Sequence, residues 1–181
     1  VSKNTIIEYV TDRMLTASGV KLSDITKRSV PVIPERYQLL LQGQLKAATL
    51  PDPLAKSALQ AGAVNILDDT RFPGYSISVL TFSTAALNSK PEAVKAFLEA
   101  WDRAAADINA SPERYRDLLL KSIRVPKNIQ QTYRIPPFAR GEVPTENQWD
   151  DMMNWMVSKT LLPAPLPYAP SISTDYLPKL K

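Results

Sequence analysis

The chain has 181 residues, 44% hydrophobic and 22% charged, with a formal net charge of +4; this suffices for one domain or two small lobes and is too mild a charge for a nucleic-acid surface. It contains neither cysteine nor histidine, which removes thiolate nucleophiles, disulfides, Cys/His zinc sites and Ser-His-Asp triads. No apolar run approaches the roughly 20 residues of a membrane span.

In chain order, Ile6, Ile7, Val10, Met14 and Leu15 fall near one face at helical spacing, Ser2 or Asn4 can cap the start, and Gly19 supplies a stop, which predicts a helix over residues 5–18. Residues 28–33 read as a strand that Pro31 demotes to an edge or a bulge. Pro34 then opens a helix through Tyr37, Leu40 and Leu41, closed by Gly43. Residues 45–50 form the next strand, residues 53–61 the next helix with Gly62 as its stop, and residues 64–67 a further short strand. This alternation predicts an α/β fold with a mainly parallel sheet and crossover helices. After the turn Pro73-Gly74, residues 76–82 read as a strand leaving that sheet.

Beyond it the pattern is helical. Ser89 with Glu92 makes a capping box, followed by Val94, Phe97, Leu98, Trp101, Ala105 and Ile108 on one stripe. Ser111-Pro112 starts another helix through Tyr115, Leu118 and Leu119. Thr145 with Gln148 makes a second capping box, ahead of an apolar face of Trp149, Met152, Met153, Met156 and Val157. Such stripes are expected to be packing surfaces rather than cofactor boxes. Residues 125–144 predict an irregular excursion or a short helix with an extended arm, and the Pro-rich stretch 163–170 an extended tail.

The turn Leu50-Pro51-Asp52-Pro53 joins a predicted strand to a predicted helix, the place where open α/β sheets put their ligands. Asp52, held between two prolines, either offers its carboxylate to a ligand or caps the following helix. Asn4 and Thr5 begin a helix whose N-terminal amides attract an anion, or else cap it in the ordinary way. Tyr75 lies where the chain leaves the predicted lobe and can cover a flat solute or pack beneath the crossing strand. Asp68-Asp69-Thr70 lacks a third ligand for a metal, and Glu8 with Asp12, at i and i+4, reads as a solvated face. Glu92, Glu113 and Glu146 are first-turn carboxylates that favour their helix starts. No catalytic group, metal site or cofactor is expected.

Several stretches carry a resemblance: Asn4-Thr5-Ile6-Ile7-Glu8-Tyr9-Val10-Thr11-Asp12, Ile33-Pro34-Glu35-Arg36 leading to Leu39-Leu40-Leu41-Gln42-Gly43-Gln44, and Ala47-Ala48-Thr49-Leu50-Pro51-Asp52-Pro53. Lys90-Pro91-Glu92-Ala93-Val94-Lys95-Ala96-Phe97-Leu98 and Ile108-Asn109-Ala110-Ser111-Pro112-Glu113-Arg114-Tyr115 continue it. In order and spacing these resemble the substrate-binding proteins of ABC importers, in the NMT1/THI5-like branch that serves nitrate, sulfonates, taurine and thiamine-precursor pyrimidines. The resemblance implies an α/β, periplasmic-binding-protein-like (type 2) two-lobe fold with one lobe incomplete. Residues 1–75 would be the second lobe, and residues 76–181 the crossing strand and the helices that pad the first lobe, ending in the Pro-rich tail. The chain, beginning Val1-Ser2-Lys3 without Met or a signal-peptide pattern, would lack the N-terminal lobe segment.

The implied function is capture of a small solute (a sulfonate, a nitrate-like anion or a pyrimidine-type precursor) by lobe closure, and its delivery to the membrane permease subunits of an ABC importer. No catalysis and no nucleic-acid partner are implied, and the address would be periplasmic or extracellular, membrane-anchored as a lipoprotein. The implied ligand-binding residues are Asn4, Thr5, Pro51, Asp52 and Tyr75. A thiamine-pyrimidine biosynthetic enzyme and the ligand-sensing domain of a regulator are the alternatives; the first of these consumes a histidine that this chain lacks. On this expectation an all-helical bundle, or a helix over residues 45–50, would make the family reading collapse.

Overall fold

Every regular element is a helix in the computed structural model, which describes residues 1–178. The α-helices are α1 (Ile6–Ala17), α2 (Ile33–Leu41), α3 (Leu54–Gln60), α4 (Thr84–Ser89), α5 (Pro91–Ala110), α6 (Arg116–Ser122), α7 (Glu146–Ser158) and α8 (Tyr168–Ser171). Short 3-10 turns lie at Leu22–Asp24, Asp69–Arg71, Pro112–Tyr115 and Lys127–Ile129. The expected α/β class, with its two-lobe periplasmic-binding-protein-like architecture, is therefore overturned: that fold needs a sheet, and no strand occurs among the described residues.

The physical reason lies in what a strand requires. Val, Ile and Thr favour a pleated, half-buried backbone, but a ladder forms only where a second segment supplies the partner groups. Residues 64–67 and 76–82 make no backbone–backbone hydrogen bond among the described residues. Val64 and Ile66 are 78% and 74% exposed, so the side chains that suggested a strand are in water. Residues 28–33 come nearest to pairing: Val1 donates its amino group to the Arg28 carbonyl at 3.2 Å and Val30 N–H donates to the Val1 carbonyl at 2.9 Å. This is the parallel pattern, one bridge long. Residues 45–50 likewise carry no strand, and the helix after them begins at Leu54.

The helices themselves follow local chemistry. α1 is capped by Thr5, whose hydroxyl accepts from Ile7 N–H at 3.2 Å, rather than by Ser2 or Asn4. It stops where expected, at Gly19 with φ +80°, a conformation that costs glycine nothing. α2 begins with Ile33-Pro34, and α3 ends before Gly62, at φ +98°. The capping box at Thr145 and Gln148 forms in both directions, at 2.8 and 3.3 Å. The one predicted at Ser89 and Glu92 does not. A short helix that the pattern concealed, α4, ends at Ser89, whose hydroxyl donates to the Ala85 carbonyl at 2.6 Å, and Pro91 makes Lys90 the cap of α5. The tail predicted as extended contains α8.

The main core joins the two ends of the chain. Tyr9, Val10 and Met14 of α1 pack on Trp155 of α7, with Leu67, Phe72, Tyr75, Met152, Met156 and Leu161 around them. Trp155 was absent from the predicted apolar face of its helix, yet it is 5% exposed and its ring meets Tyr9 edge-on at 5.6 Å. A second cluster, Val125, Ile129 and Tyr133 with Leu120, organises the excursion after α6. The stripe on α5 is only half a packing surface: Val94 and Ala105 are buried, while Phe97 and Trp101 remain 48% and 47% exposed.

Candidate functional site

The segment that enters the Pro51–Asp52 turn is held by a buried arginine. Arg36, on α2, is fully enclosed; its guanidinium donates to the Thr49 carbonyl at 2.9 Å and to the Ser2 hydroxyl at 2.9 Å. Thr49 is also tied to α1 through a 2.7 Å hydroxyl–hydroxyl bond with Thr11. One side chain therefore links the approach to α1, the body of α2 and the approach to the turn. It has no carboxylate partner among the described residues, and its Nε has no hydrogen bond. Burial pushes its pKa below the ordinary arginine value.

Beyond this clamp lies a cavity of about 310 Å³. Ile33 and Pro34 at the start of α2, Pro51, Asp52 and Pro53 of the turn, Leu54 of α3, and Ile123 and Arg124 after α6 form its walls. Its volume sits at the lower edge of the roughly 300–1,000 Å³ typical of small-molecule pockets. The walls are mainly aliphatic, with three proline rings, and the ionic groups are Asp52 and Arg124. The peptide bond between Asp52 and Pro53 is cis.

Asp52 does not cap α3: the helix has Pro53 at its cap and no side-chain cap bond. Instead its Oδ2 pairs with Lys56 at 3.2 Å, both side chains about 40% exposed (38% and 42%). The Lys56 ammonium in turn lies 4.8 Å from the centre of the Tyr133 ring. Burial, and then the negative charge of Asp52, raise the Tyr133 phenol above its ordinary pKa. α3 is anchored beneath this pair by Ser57, fully buried and bonded to Tyr37 at 2.9 Å and Asn128 at 3.1 Å.

Pro51 and Asp52 are thus the two expected ligand-binding residues that line the cavity. Asn4 and Thr5 lie outside its walls, at the start of α1; Asn4 has φ +59° and donates its N–H to Glu8 Oε2 at 2.8 Å. Tyr75 also lies outside it, in the main core, stacked on Phe72 at 6.2 Å and edge-on to Tyr9 at 6.3 Å. Arg36, Ile33, Leu54, Ile123 and Arg124 were not singled out from sequence. Arg36 carried one legible signal, a cation in the second turn of a helix whose other face is apolar.

Glu8 and Asp12 require a correction. They are not a solvated face: they are 3% and 1% exposed. Lys27 reaches both, at 2.6 Å to Glu8 and 2.8 Å to Asp12; Lys159 does the same at 3.3 and 3.0 Å. The Trp155 indole N–H donates to Asp12 at 3.2 Å. Burial alone would raise both carboxyls, but the hydrogen bonds from Lys27, with those from Asn4 N–H to Glu8 and from Lys159 and Trp155 to Asp12, carry them below the ordinary carboxylate range. Lys27 is raised for the converse reason, burial being outweighed by its two carboxylates. Four charges sum to zero and saturate one another, so this is a structural latch. Asp68 is also a local structural group, accepting from Asn65 at 2.6 Å and from Thr70 N–H at 3.1 Å. No group of three or more His, Cys, Asp or Glu able to hold a metal occurs among the described residues.

Against known proteins, no curated sequence and no solved structure matches the chain. The model of the NMT1-like family matches residues 2–120, a span that holds the Arg36 clamp, the Pro51–Asp52 turn and most of the helices. The loss of the expected sheet does not touch this result, because the match is carried by the order of residues along the chain. The chain belongs to the NMT1-like family.

Proposed function

We propose that this chain is an extracytoplasmic solute-binding protein, without chemistry of its own, that captures a small solute and presents it to the permease subunits of an ABC importer. Membership of the NMT1-like family over residues 2–120 carries this reading. The cavity beside the Pro51–Asp52 turn is its natural locus: it is concave, mainly apolar and holds a few polar groups, the usual composition of small-molecule sites. A sulfonate, a nitrate-like anion or a pyrimidine-type precursor is the solute class, and the periplasm or the outer face of the membrane, with a lipid anchor, is the setting.

Asp52 serves in this reading as an acceptor for a hydroxyl or amine of the solute. Its Oδ2 faces Lys56, and Oδ1 has no partner among the described residues. Asn4 and Thr5, at the start of α1, and Tyr75, in the main core, lie outside the cavity walls and would serve this reading only by holding the fold around it. The test is native mass spectrometry of the purified chain for a co-purified small molecule, followed by calorimetric titration of wild type and Asp52→Ala with the released compound. Asp52→Ala should weaken binding by about 1–3 kcal/mol, the cost of leaving a ligand donor unpaired. Absence of any retained or titratable solute would sink the reading.

A further inference from the structure

We infer that the exposed face of α5 docks a second copy of this chain, the two α5 helices lying antiparallel about a two-fold axis beside Ala100. At 3.6 residues per turn, Ala93, Phe97, Ala100, Trp101, Ala104 and Ile108 fall within an arc of about 100° and run about 22 Å along the helix. All but the half-buried Ile108 are exposed, Phe97 and Trp101 at 48% and 47%. No charged residue of α5 lies within this arc, and Asp107 borders it. The neighbouring part of the helix is already covered. Val94 and Ala105 are buried, Asp102 holds Arg140 at 2.6 and 2.9 Å, and Asn109 exchanges two 2.8 Å hydrogen bonds with the Phe138 backbone. On the open side Phe82 meets Phe97 edge-on at 5.9 Å, and Phe97 lies 6.4 Å from Trp101, so the rings brace one another in a row.

Side-chain size selects a second copy as the occupant. An antiparallel pair centred between Ala100 and Trp101 sets Phe97 level with Ala104 and Ala93 level with Ile108, each twice by symmetry, so large meets small in those layers. The two Trp101 rings meet beside the axis, and Ala100 lets the backbones approach there. A parallel pair instead sets Phe97 on Phe97 and leaves the alanines facing voids.

Charge agrees with this arrangement. Asp107 is exposed and in no ion pair among the described residues. The antiparallel pair brings it level with the first turn of the second α5, the positive end of that helix, next to the exposed Lys90. An anionic lipid surface fits less well, because α5 carries Glu92, Glu99, Asp102 and Asp107 against Lys95 and Arg103. A single helix face offers less than the roughly 800 Å² per partner of a standard interface, so the dimer is a reversible one. No α5 residue lines the Pro51–Asp52 cavity, which makes this inference independent of solute binding.

The experiment is sedimentation velocity of the full chain from about 1 to 300 µM, comparing wild type, Ala100→Glu and Arg103→Glu. Both substituted positions are exposed and helical, where Glu is well tolerated, so circular dichroism should be unchanged in both variants. A100E sets two carboxylates against each other beside the axis, whereas R103E changes the far side of the helix. Wild type should pass from monomer to dimer with a Kd of about 10–100 µM, A100E should weaken the dimer at least about tenfold, and R103E should stay within about threefold. The chain has no cysteine, so single-cysteine variants report the register directly. Oxidised Ala100→Cys should form a disulfide dimer and Ala93→Cys should not, since the antiparallel pair holds its two copies about 22 Å apart. A wild type still monomeric at about 300 µM, equal affinities in wild type and A100E, equal losses in A100E and R103E, or A93C crosslinking as readily as A100C overturns the inference. A monomeric wild type that floats with phosphatidylglycerol–phosphatidylcholine vesicles overturns it too, and gives the face to a lipid surface.

Discussion

Asp12 is bonded to Lys27, Lys159 and the Trp155 indole inside the core, so that α1, the segment at residue 27 and α7 meet at one carboxylate. Asp12→Ala would leave two ammonium groups facing Glu8 alone, an uncompensated buried charge. The expected loss is about 3–5 kcal/mol in urea unfolding, the range for removing one partner of a buried ion pair. The pH dependence follows from the same group. Glu8 and Asp12 have folded pKa values below their ordinary ones, so their contribution is present above the ordinary carboxylate range and is lost as pH falls through the depressed values. Lys27 is raised, so its contribution is present below the ordinary lysine value and is lost as pH rises through the raised one. Melting temperature should therefore be flat between roughly pH 5 and 9 and fall on acidification below about pH 4. A chain whose stability rises steadily on acidification through that range would refute the latch. By contrast Asp52→Ala removes a half-exposed i,i+4 pair and no cap, so its effect on stability should stay within about 0.5 kcal/mol. A larger effect on solute affinity than on unfolding is then read without confusion.

Among the elements, α7 and α5 present the same start signature with different outcomes. The Thr145 hydroxyl accepts from the Gln148 N–H and the Thr145 N–H donates to the Gln148 side-chain oxygen, so Thr145→Ala should cost about 1 kcal/mol. Ser89 belongs to the end of α4, where its hydroxyl bonds back within its own helix, so Ser89→Ala should fall within about 0.5 kcal/mol of wild type. Equilibrium denaturation of the two variants side by side checks the pair; equal losses would place a cap at Ser89 after all. The reason is Pro91. Its fixed φ suits the first turn of a helix and its missing N–H costs nothing there, so the boundary is set one residue past the serine. Docking of α1 on α7 shows the reach of helical spacing. Tyr9 and Arg13 both donate to Asp151 at 2.7 Å, while Glu8 and Asp12 meet Lys159 one turn further along from Trp155. Burial, and then the hydrogen bond to Asp151, hold the Tyr9 phenol well above its ordinary pKa.

Over the molecule as a whole, helices supply the regular structure while residues 64–67 and 76–82 run without backbone partners. Amides that have no acceptor exchange with solvent at rates close to those of an open chain. Hydrogen-exchange mass spectrometry should find these two segments unprotected, and α1 and α7, which share the main core, among the slowest to exchange. Slow exchange across residues 76–82 would mean that they pair with something. Clamp and latch both bear on α1: Arg36 reaches Ser2 and the Thr49 segment, which meets Thr11, whereas Lys27 and Lys159 close on Glu8 and Asp12 and fasten α1 to α7.

Helix starts and stops were legible in the residues because their causes are local: Gly19, Gly43 and Gly62 after helices, Pro34 at the opening of α2, Thr145 with Gln148 before α7. The order of residues along 2–120 was also enough to identify the family. The turn at Pro51 and Asp52 was singled out as the junction of a strand with a helix; no strand precedes it among the described residues, and the two residues line a cavity for a different reason. Pairing was not legible. Val64, Ile66 and Val79 predict a strand only if a neighbour meets them, and that condition lies outside any local window. Nor could spacing reveal the state of Glu8 and Asp12: an i,i+4 pair of carboxylates is a solvated face until two lysines and a tryptophan, from residues 27, 155 and 159, close over it. Tertiary structure alone decided those outcomes, because burial, ion pairing and the gathering of residues 33–34, 51–54 and 123–124 around one cavity depend on segments far apart in the chain.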